Sequence, residues 1–212
     1  MTKPKDPQDN IIRFPTESVA KFGLERVTTR RKKGPRLEQH GQLSLFKKPT
    51  GEVLKIPTGI GAFDEALLLD ERGDGDARER YHDAIDEGDS VADAYCNLGV
   101  MESRSGNTTA AFECFKEALK YEPRHFESHY DLGNLYFDAG DLRPAQLHYE
   151  VAAELDGEFP NVHFNLGLVN ALTEDFDAAI KSLTDYKELV SESEHAKANE
   201  LLANIRLSIS KS

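Results

Sequence analysis

The sequence predicts an all-α fold, a solenoid of stacked helix hairpins, and three observations lead to it. The dipeptide Leu-Gly recurs every 34 residues, at positions 98, 132 and 166. A small residue recurs at the same interval, at Ala111, Ala145 and Ala179. Net charge and proline content both change at about residue 61. A fixed repeat of this length is typical of folds in which each unit packs against its neighbours along the chain.

Residues 1–61 are predicted to be a basic, proline-rich and largely disordered arm. They carry 13 Lys and Arg against 6 Asp and Glu, a net charge of +7, and six of the nine prolines of the chain. Proline removes backbone donors and like charges repel, so no compact core is expected here. Three short apolar stretches could form strands or dock on a partner: residues 11–14, 42–46 and 53–56.

Residues 62–212 are predicted to form the solenoid. They are acidic, with 13 Lys and Arg against 32 Asp and Glu, a net charge of −19. Counted from the Leu-Gly pairs, the predicted segments are a degenerate repeat (62–91), three full repeats (92–125, 126–159 and 160–193) and a capping helix (194–209). An arm of +7 tethered to a domain of −19 is expected to associate with it loosely and in a salt-sensitive way.

Each full repeat is predicted to be a helix hairpin. Two antiparallel helices approach closely only where Gly or Ala occupies the crossing, while larger residues fill the space around it. The larger residue lies four places after each recurring alanine, at Phe115, Tyr149 and Leu183. The pairs Gly106-Asn107 and Gly140-Asp141, and Asp175 in the third repeat, are predicted to supply the turn and the N-cap of the second helix.

The two ends of the solenoid depart from the repeat. Ala77, Tyr81 and Ala84 reproduce the spacing of a second helix, and residues 62–71 are predicted to be its first helix, although they lack Leu-Gly. The capping helix is predicted to turn one apolar stripe inward, which keeps the end of a solenoid soluble. That stripe comprises Ala198, Leu201, Leu202, Ile205 and Ile209.

The 34-residue period, the Leu-Gly pairs and the recurring alanines together resemble the tetratricopeptide repeat (TPR). The resemblance implies a concave surface, lined by the first helix of each pair, that binds a peptide or another protein. The residues it assigns to this groove are Asn97, Val100, Tyr130, Asp131, Asn134, Phe137, Asn161, Phe164, Asn165 and Leu168. Some of these, notably Phe164 and Leu168, could instead pack only against neighbouring helices.

The groove is predicted to prefer a neutral or basic partner. In the TPR family, repeats that clamp the acidic C-termini of chaperones place Lys and Arg at fixed positions of the first helices. The residues at those positions here are Cys96, Val100, Asp131, Asn161 and Asn165. Without cations there, an acidic ligand would be repelled by the acidic domain.

Residues 42–46 resemble the short motif by which bacterial replication and repair proteins bind the DNA polymerase sliding clamp. The matching residues are Gln42, Leu43, Ser44, Leu45 and Phe46. The resemblance implies that the glutamine bonds at the pocket rim while Leu45 and Phe46 fill an apolar pocket. The alternative is that this stretch packs on the solenoid or has no role.

The basic run at residues 30–36 leaves several partners open. It could contact nucleic acid phosphates weakly, contact anionic lipid, or be attracted to the acidic domain of its own chain. No helix-turn-helix or zinc-finger spacing accompanies it.

An enzyme is not predicted, and neither is a cofactor. His125 and His129 have a spacing that can bind zinc, but the glutamate between them, Glu127, is not at the position that the metalloprotease motif requires, so a metal-dependent hydrolase is a distant alternative. Cys96 and Cys114 are expected to be reduced thiols. No apolar run is long enough for a membrane helix and no signal peptide is evident, so we expect a cytoplasmic, bacterial interaction adaptor.

Overall fold

The protein is described by a computed structural model that covers residues 20–28 and 60–210. Within these residues the regular structure is entirely helical, which confirms the predicted fold class. The helices are α1 (Ala62–Glu71), α2 (Ala77–Glu87), α3 (Val91–Arg104), α4 (Thr108–Tyr121), α5 (Phe126–Asp138), α6 (Leu142–Leu155), α7 (Pro160–Leu172), α8 (Phe176–Leu189) and α9 (His195–Ile209), with a 3-10 turn at Glu192–Glu194. No helix in the described residues is long and apolar enough to cross a membrane.

The described residues divide into two compact units. The first unit comprises residues 26–28 and 60–123, and the second comprises residues 20–25 and 124–210. In the first unit α1 packs on α2, α2 on α3, and α3 on α4. In the second unit α5 packs on α6, α6 on α7, α7 on α8, and α8 on α9. Both units are therefore built from consecutive antiparallel hairpins.

The Leu-Gly pairs mark the points where the two helices of a hairpin meet. A Cβ atom on Gly99 would lie 2.7 Å from the ring of Phe115, and one on Gly133 would lie 2.6 Å from the ring of Tyr149. A Cβ on Gly167 would lie 2.8 Å from the Leu183 side chain. Only glycine leaves room for these buried side chains, and this steric requirement explains the 34-residue recurrence.

The turns inside the hairpins share one backbone conformation. Gly106 and Gly140 both have φ of 81°, a left-handed conformation that glycine adopts without a steric cost. Glu174 occupies the equivalent place in the third hairpin with φ of 63°. The repeat geometry therefore persists where the sequence no longer supplies glycine.

Only one of the three predicted side-chain N-caps forms. Asp175 accepts a hydrogen bond from the Ala178 backbone N–H at 3.1 Å. Asn107 and Asp141 occupy N-cap positions without a capping side-chain bond. The Asn107 Nδ2 group donates to the Glu102 carboxylate at 2.8 Å.

The capping helix α9 buries most of its predicted stripe. Ala198, Leu201, Leu202 and Ile205 are buried in a cluster with residues of α7 and α8. Ile209 was predicted to face inward but is 46% exposed. It is the last residue of α9, where the helix has passed beyond the cluster it covers.

Candidate peptide-binding sites

Residues 20–28, here called the N-terminal segment, lie against the helices without helix, strand or turn of their own. Their backbone groups bond to side chains of the first helices of the hairpins. The sequence assigned these residues to the disordered arm and did not include them among its apolar stretches. That assignment is wrong for residues 20–28, because buried polar side chains supply the partners that their backbone lacks.

In the second unit, Asn165 on α7 binds both backbone groups of Phe22. The Phe22 N–H donates to Asn165 Oδ1 at 2.8 Å, and Asn165 Nδ2 donates to the Phe22 carbonyl at 3.0 Å. Asn134 on α5 donates to the Gly23 carbonyl at 3.2 Å. These side chains, together with Asp131, Phe137, Asp138, Phe164, Tyr186 and Lys197, are called the Asn165 site.

The asparagines of the Asn165 site are held by one another and by two tyrosines. Asn165 Nδ2 lies 3.1 Å from the Tyr130 hydroxyl and 3.1 Å from Asn134 Oδ1. The Tyr149 hydroxyl donates to Asn134 Oδ1 at 2.9 Å. All four side chains are fully buried. Such a network fixes the orientation of both amides before a ligand arrives.

Asp131 supplies the third backbone contact of this site. Its Oδ1 accepts from the Glu25 N–H at 2.8 Å. The carboxyl group is completely buried, and this burial raises the pKa of Asp131 well above its ordinary value, while the hydrogen bond from Glu25 opposes the shift. Asp131 thus accepts a backbone N–H at a cost in desolvation that asparagine would avoid.

Aromatic rings surround the side chain of Phe22. Its ring centroid lies 5.1 Å from that of Phe164 in an edge-to-face arrangement and 6.0 Å from that of Tyr186. Phe164 and Tyr186 also contact each other at 5.2 Å. The Lys197 ammonium lies 4.9 Å from the Phe22 centroid, within the range of a cation–π contact. The first two full repeats have an alanine at the position that Tyr186 occupies in the third. The larger Tyr186 side chain therefore forms part of the surface that contacts Phe22.

Lys21 is held beside Phe22. Its ammonium lies 3.3 Å from Asp138 Oδ2 and 5.9 Å from the ring centroid of Phe137. The lysine side chain is only 13% exposed, whereas that of Asp138 is 62% exposed. The aliphatic part of the lysine side chain is therefore buried, while the carboxylate of the ion pair is exposed to water. Packing as well as charge then contributes to holding Lys21 in place.

In the first unit, Asn97 on α3 binds Val27 as Asn165 binds Phe22. The Val27 N–H donates to Asn97 Oδ1 at 2.8 Å, and Asn97 Nδ2 donates to the Val27 carbonyl at 2.9 Å. Asn97 Nδ2 also donates to the Tyr81 hydroxyl at 3.0 Å, and Arg26 pairs with Asp70 at 2.7 Å. These residues, Asp70, Tyr81 and Asn97, are called the Asn97 site. Val27 is 3% exposed.

Three equivalent repeat positions receive the segment. Asn97, Asp131 and Asn165 are spaced by 34 residues, and each accepts one backbone N–H from residues 20–28. The asparagines also return a hydrogen bond to the carbonyl of the same residue. Each asparagine therefore recognises main chain rather than a particular side chain.

The structure brings most of the predicted groove residues to these sites. Asn97, Asp131, Asn134 and Asn165 bond to the segment, Phe164 and Phe137 contact its side chains, and Tyr130 supports Asn165. Leu168 is buried in the cluster on which Phe22 packs, and Val100 is also buried. Asn161 is half-buried on α7.

Sequence reasoning missed several contributors to the sites: Asp70, Tyr81, Asp138, Tyr186, Lys197 and the N-terminal segment itself. One signal was available for the segment. Residues 16–34 form the longest stretch of the arm without proline, and they include Phe22 and Val27. The clamp-like motif, Gln42 to Phe46, lies outside the described residues and stays a prediction.

The contacts of the segment are mainly not ionic. Two ion pairs, Lys21–Asp138 and Arg26–Asp70, join residues 20–28 to the helices. The other contacts described above are hydrogen bonds and ring contacts. Salt screens such short-range contacts only in part. The expected loose and salt-sensitive association of the whole arm stays a prediction.

The histidines considered as metal ligands have structural partners. His125 caps α5, its Nδ1 accepting from the Ser128 N–H at 3.1 Å. His129 Nδ1 lies 3.1 Å from His148 Nδ1 on α6. No group of three or more metal-ligating side chains occurs in the part of the chain that the structure describes. Neither Cys96 nor Cys114 forms a disulfide in the described part of the chain.

His148 is expected to make stability depend on pH. Burial, and after it the neighbouring His129, together lower the pKa of His148 to about 4, whereas a histidine in the unfolded chain titrates near 6.5. Between these values the unfolded state binds the extra proton, so the free energy of unfolding should fall as pH falls. The loss by pH 5 should be on the order of 1–2 kcal/mol.

Urea unfolding at pH 7 and pH 5 tests this expectation. His148→Gln should flatten the dependence in this range, while His82→Gln, at an exposed position of α2, should leave it unchanged. Equal pH slopes for the wild type and His148→Gln would contradict it.

Comparison with known proteins supports the resemblance drawn from the repeat. The tetratricopeptide repeat model matches residues 102–143 and 130–194. Residues 102–194 are therefore similar to tetratricopeptide repeats. The mouse (Mus musculus) protein "Tetratricopeptide repeat protein 8" is 28% identical over 116 residues, which is 53% of this chain. The match spans only 22% of that relative.

Solved structures of low sequence identity share the fold. The MamA structure described as "MamA AMB-1" has a TM-score of 0.59 at 20% identity, over 71% of this chain and 81% of that one. A second MamA crystal structure has a TM-score of 0.52 at 17% identity, over 69% of this chain and 95% of that one. The first TPR of Spaghetti (RPAP3), bound to the HSP90 peptide SRMEEVD, also has a TM-score of 0.52 at 17% identity, over 56% of this chain and 93% of that one.

Proposed function

We propose that the protein is a TPR adaptor that binds a non-helical segment of a partner protein on the first helices of its hairpins. One observation carries the proposal: Asn165 and Asn97 each hold the N–H and the carbonyl of a single residue in a segment that lacks regular structure. Two hydrogen bonds of this kind can form with the backbone of any peptide that binds in the same register.

The preferred partner is neutral or basic. Asp70 and Asp138 each pair with a cation of the N-terminal segment, and Asp131 accepts a backbone N–H of the same segment. The Spaghetti TPR is bound to a peptide, SRMEEVD, that is rich in carboxylates. We infer that the present sites disfavour such a ligand, because buried or nearby carboxylates would repel it. The proposal involves no catalytic step and no cofactor.

A peptide-display selection on the full-length protein tests the function. Peptides selected on the wild type should lose binding to Asn165→Leu, because leucine has the same branched arrangement of side-chain heavy atoms but cannot bond to the main chain. They should keep binding to Asn161→Leu. This control makes the same change at a half-buried residue of the same helix. Peptides that bind all three proteins equally would show that the Asn165 site is not the binding surface.

Docking on a sliding clamp is a second proposed function, and it rests on the five-residue match at residues 42–46. A peptide of residues 36–50 should bind a bacterial clamp, and its Phe46→Ala version should not, because the aromatic ring is the group proposed to enter the pocket. Equal binding of the two peptides, or none by either, would remove this function. The groove proposal does not depend on the result.

A further inference from the structure

We propose that the Asn165 site recognises a basic residue followed by an aromatic residue, and that Lys21 and Phe22 of the chain itself occupy this site as a competing internal ligand. The inference rests on the proposed function, since it names the partner chemistry and the regulation of the same site. Its support comes from three features of the second unit.

The aromatic position is defined by three side chains. Phe164 and Tyr186 contact the ring of Phe22 at centroid distances of 5.1 and 6.0 Å, and Lys197 lies over the same ring. Edge-to-face and cation–π contacts both require a π system. An aliphatic residue at this position would keep the apolar contact and lose the contacts that depend on the ring.

The basic position is defined by Asp138 and Phe137. The carboxylate lies 3.3 Å from the lysine ammonium, and the ring of Phe137 lies under the same group at 5.9 Å. Arginine would suit the same surroundings, because it pairs with carboxylates and stacks on aromatic rings. An acidic residue at this position would face Asp138 directly.

The register of the two positions is fixed by main-chain bonds. Asn165 holds both backbone groups of Phe22, and Asn134 holds the Gly23 carbonyl. A Cβ at Gly23 would meet nothing within 4 Å, so the position after the aromatic residue accepts other side chains. Selectivity therefore resides in the basic–aromatic pair.

A partner segment and residues 21–23 need the same donors and acceptors, so only one of them can occupy the site. The internal segment is tethered, which gives it a high effective concentration. Apparent affinity for an outside ligand falls in proportion to the fraction of molecules with the site open. The wild-type protein should therefore bind partners more weakly than a variant whose own segment is impaired.

The test uses the full-length protein and a fluorescent peptide of residues 19–29 as the probe. The release variant is Phe22→Ala, which weakens the internal ligand and leaves the site intact. The matched control is Gly23→Ala, whose added methyl group enters open space. Lys21→Glu is a second release variant, in case the first loses stability, and circular dichroism checks helix content. A probe carrying Phe22→Ala reports on the aromatic position.

We expect the probe to bind Phe22→Ala at least about tenfold more tightly than it binds the wild type or Gly23→Ala. The gain should persist at about 0.5 M salt, since most contacts are not ionic. The probe with Phe22→Ala should bind none of the proteins detectably. Addition of Asn165→Leu to the release variant should abolish the gain.

Each contrary result is distinct. Equal binding to all full-length proteins would overturn the internal ligand and leave the groove function standing. Equal binding of the two probes to the release variant would overturn the basic–aromatic preference. No binding to either release variant would overturn the inference and the proposed function together. A wild-type dimer that dissociates on Phe22→Ala, seen by light scattering, would show that the segment docks on a second copy and would overturn the internal ligand.

Discussion

Gly133→Leu is expected to lower the free energy of unfolding by about 3 kcal/mol or more, at or above the upper end of the usual range for overpacking. The first added carbon would lie 2.6 Å from two ring atoms of Tyr149, which is fully buried. The ring cannot move aside easily, because its hydroxyl donates to Asn134 in the network that supports the Asn165 site. Urea or thermal unfolding monitored by circular dichroism would measure the loss.

Two comparisons make the Gly133 result specific. Gly75→Leu, at an exposed position where a Cβ meets nothing within 4 Å, should change stability by less than about 0.5 kcal/mol. His129→Leu, in the same hairpin, should cost less than Gly133→Leu. A larger loss for His129→Leu would show that the glycine is not the critical contact of the 34-residue register.

Asn165→Leu is expected to release residues 20–25 from the second unit. The substitution removes both hydrogen bonds to Phe22 and those to Tyr130 and Asn134, and it leaves buried polar groups of the last two without this partner. The combined loss should be about 2–4 kcal/mol of unfolding free energy. Hydrogen exchange followed by mass spectrometry should show the amides of Phe22 and Glu25 exchanging at least about tenfold faster.

Asn161→Leu is the matched control for this second experiment. It makes the same chemical change on α7, one turn earlier, and should leave exchange at Phe22 and Glu25 as in the wild type. Unchanged exchange in Asn165→Leu would mean that the Asn165 amide does not hold the segment. Accelerated exchange in Asn161→Leu would add that residue to the site.

The repeat was predictable because its requirements are local and steric. Gly99, Gly133 and Gly167 face bulky side chains 16 residues later in the same hairpin, so the chain carries the constraint at a constant spacing. The asparagines of the sites were predictable for a related reason, since they occupy recurring positions of the first helices. Asp70 and Lys197 were missed because they lie in the degenerate repeat and the capping helix, where the spacing no longer applies.

The docking of residues 20–28 was not predictable from pattern. Its main-chain contacts join backbone atoms to side-chain amides. Because nearly all residues carry the same backbone groups, the residue types do not show which backbone groups will form such bonds. Phe22 is a single aromatic residue that belongs to no repeating pattern, so it gives no signal of docking in the sequence. Charge indicated an attraction between arm and domain, but it could not select which residues of the arm would dock or in which register.

The 143 residues that separate Phe22 from Asn165 impose an order on biosynthesis. At the usual translation rate of about 5–20 residues per second, the ribosome makes Phe22 roughly 7–30 s before Asn165. Helix hairpins can close as each is synthesised, because their contacts are short in sequence. The contact between Phe22 and Asn165 must wait until α7 has emerged. During that interval Lys21 and Phe22 are exposed to chaperones and other nascent chains, and their docking is among the last steps by which the newly made protein reaches its final form.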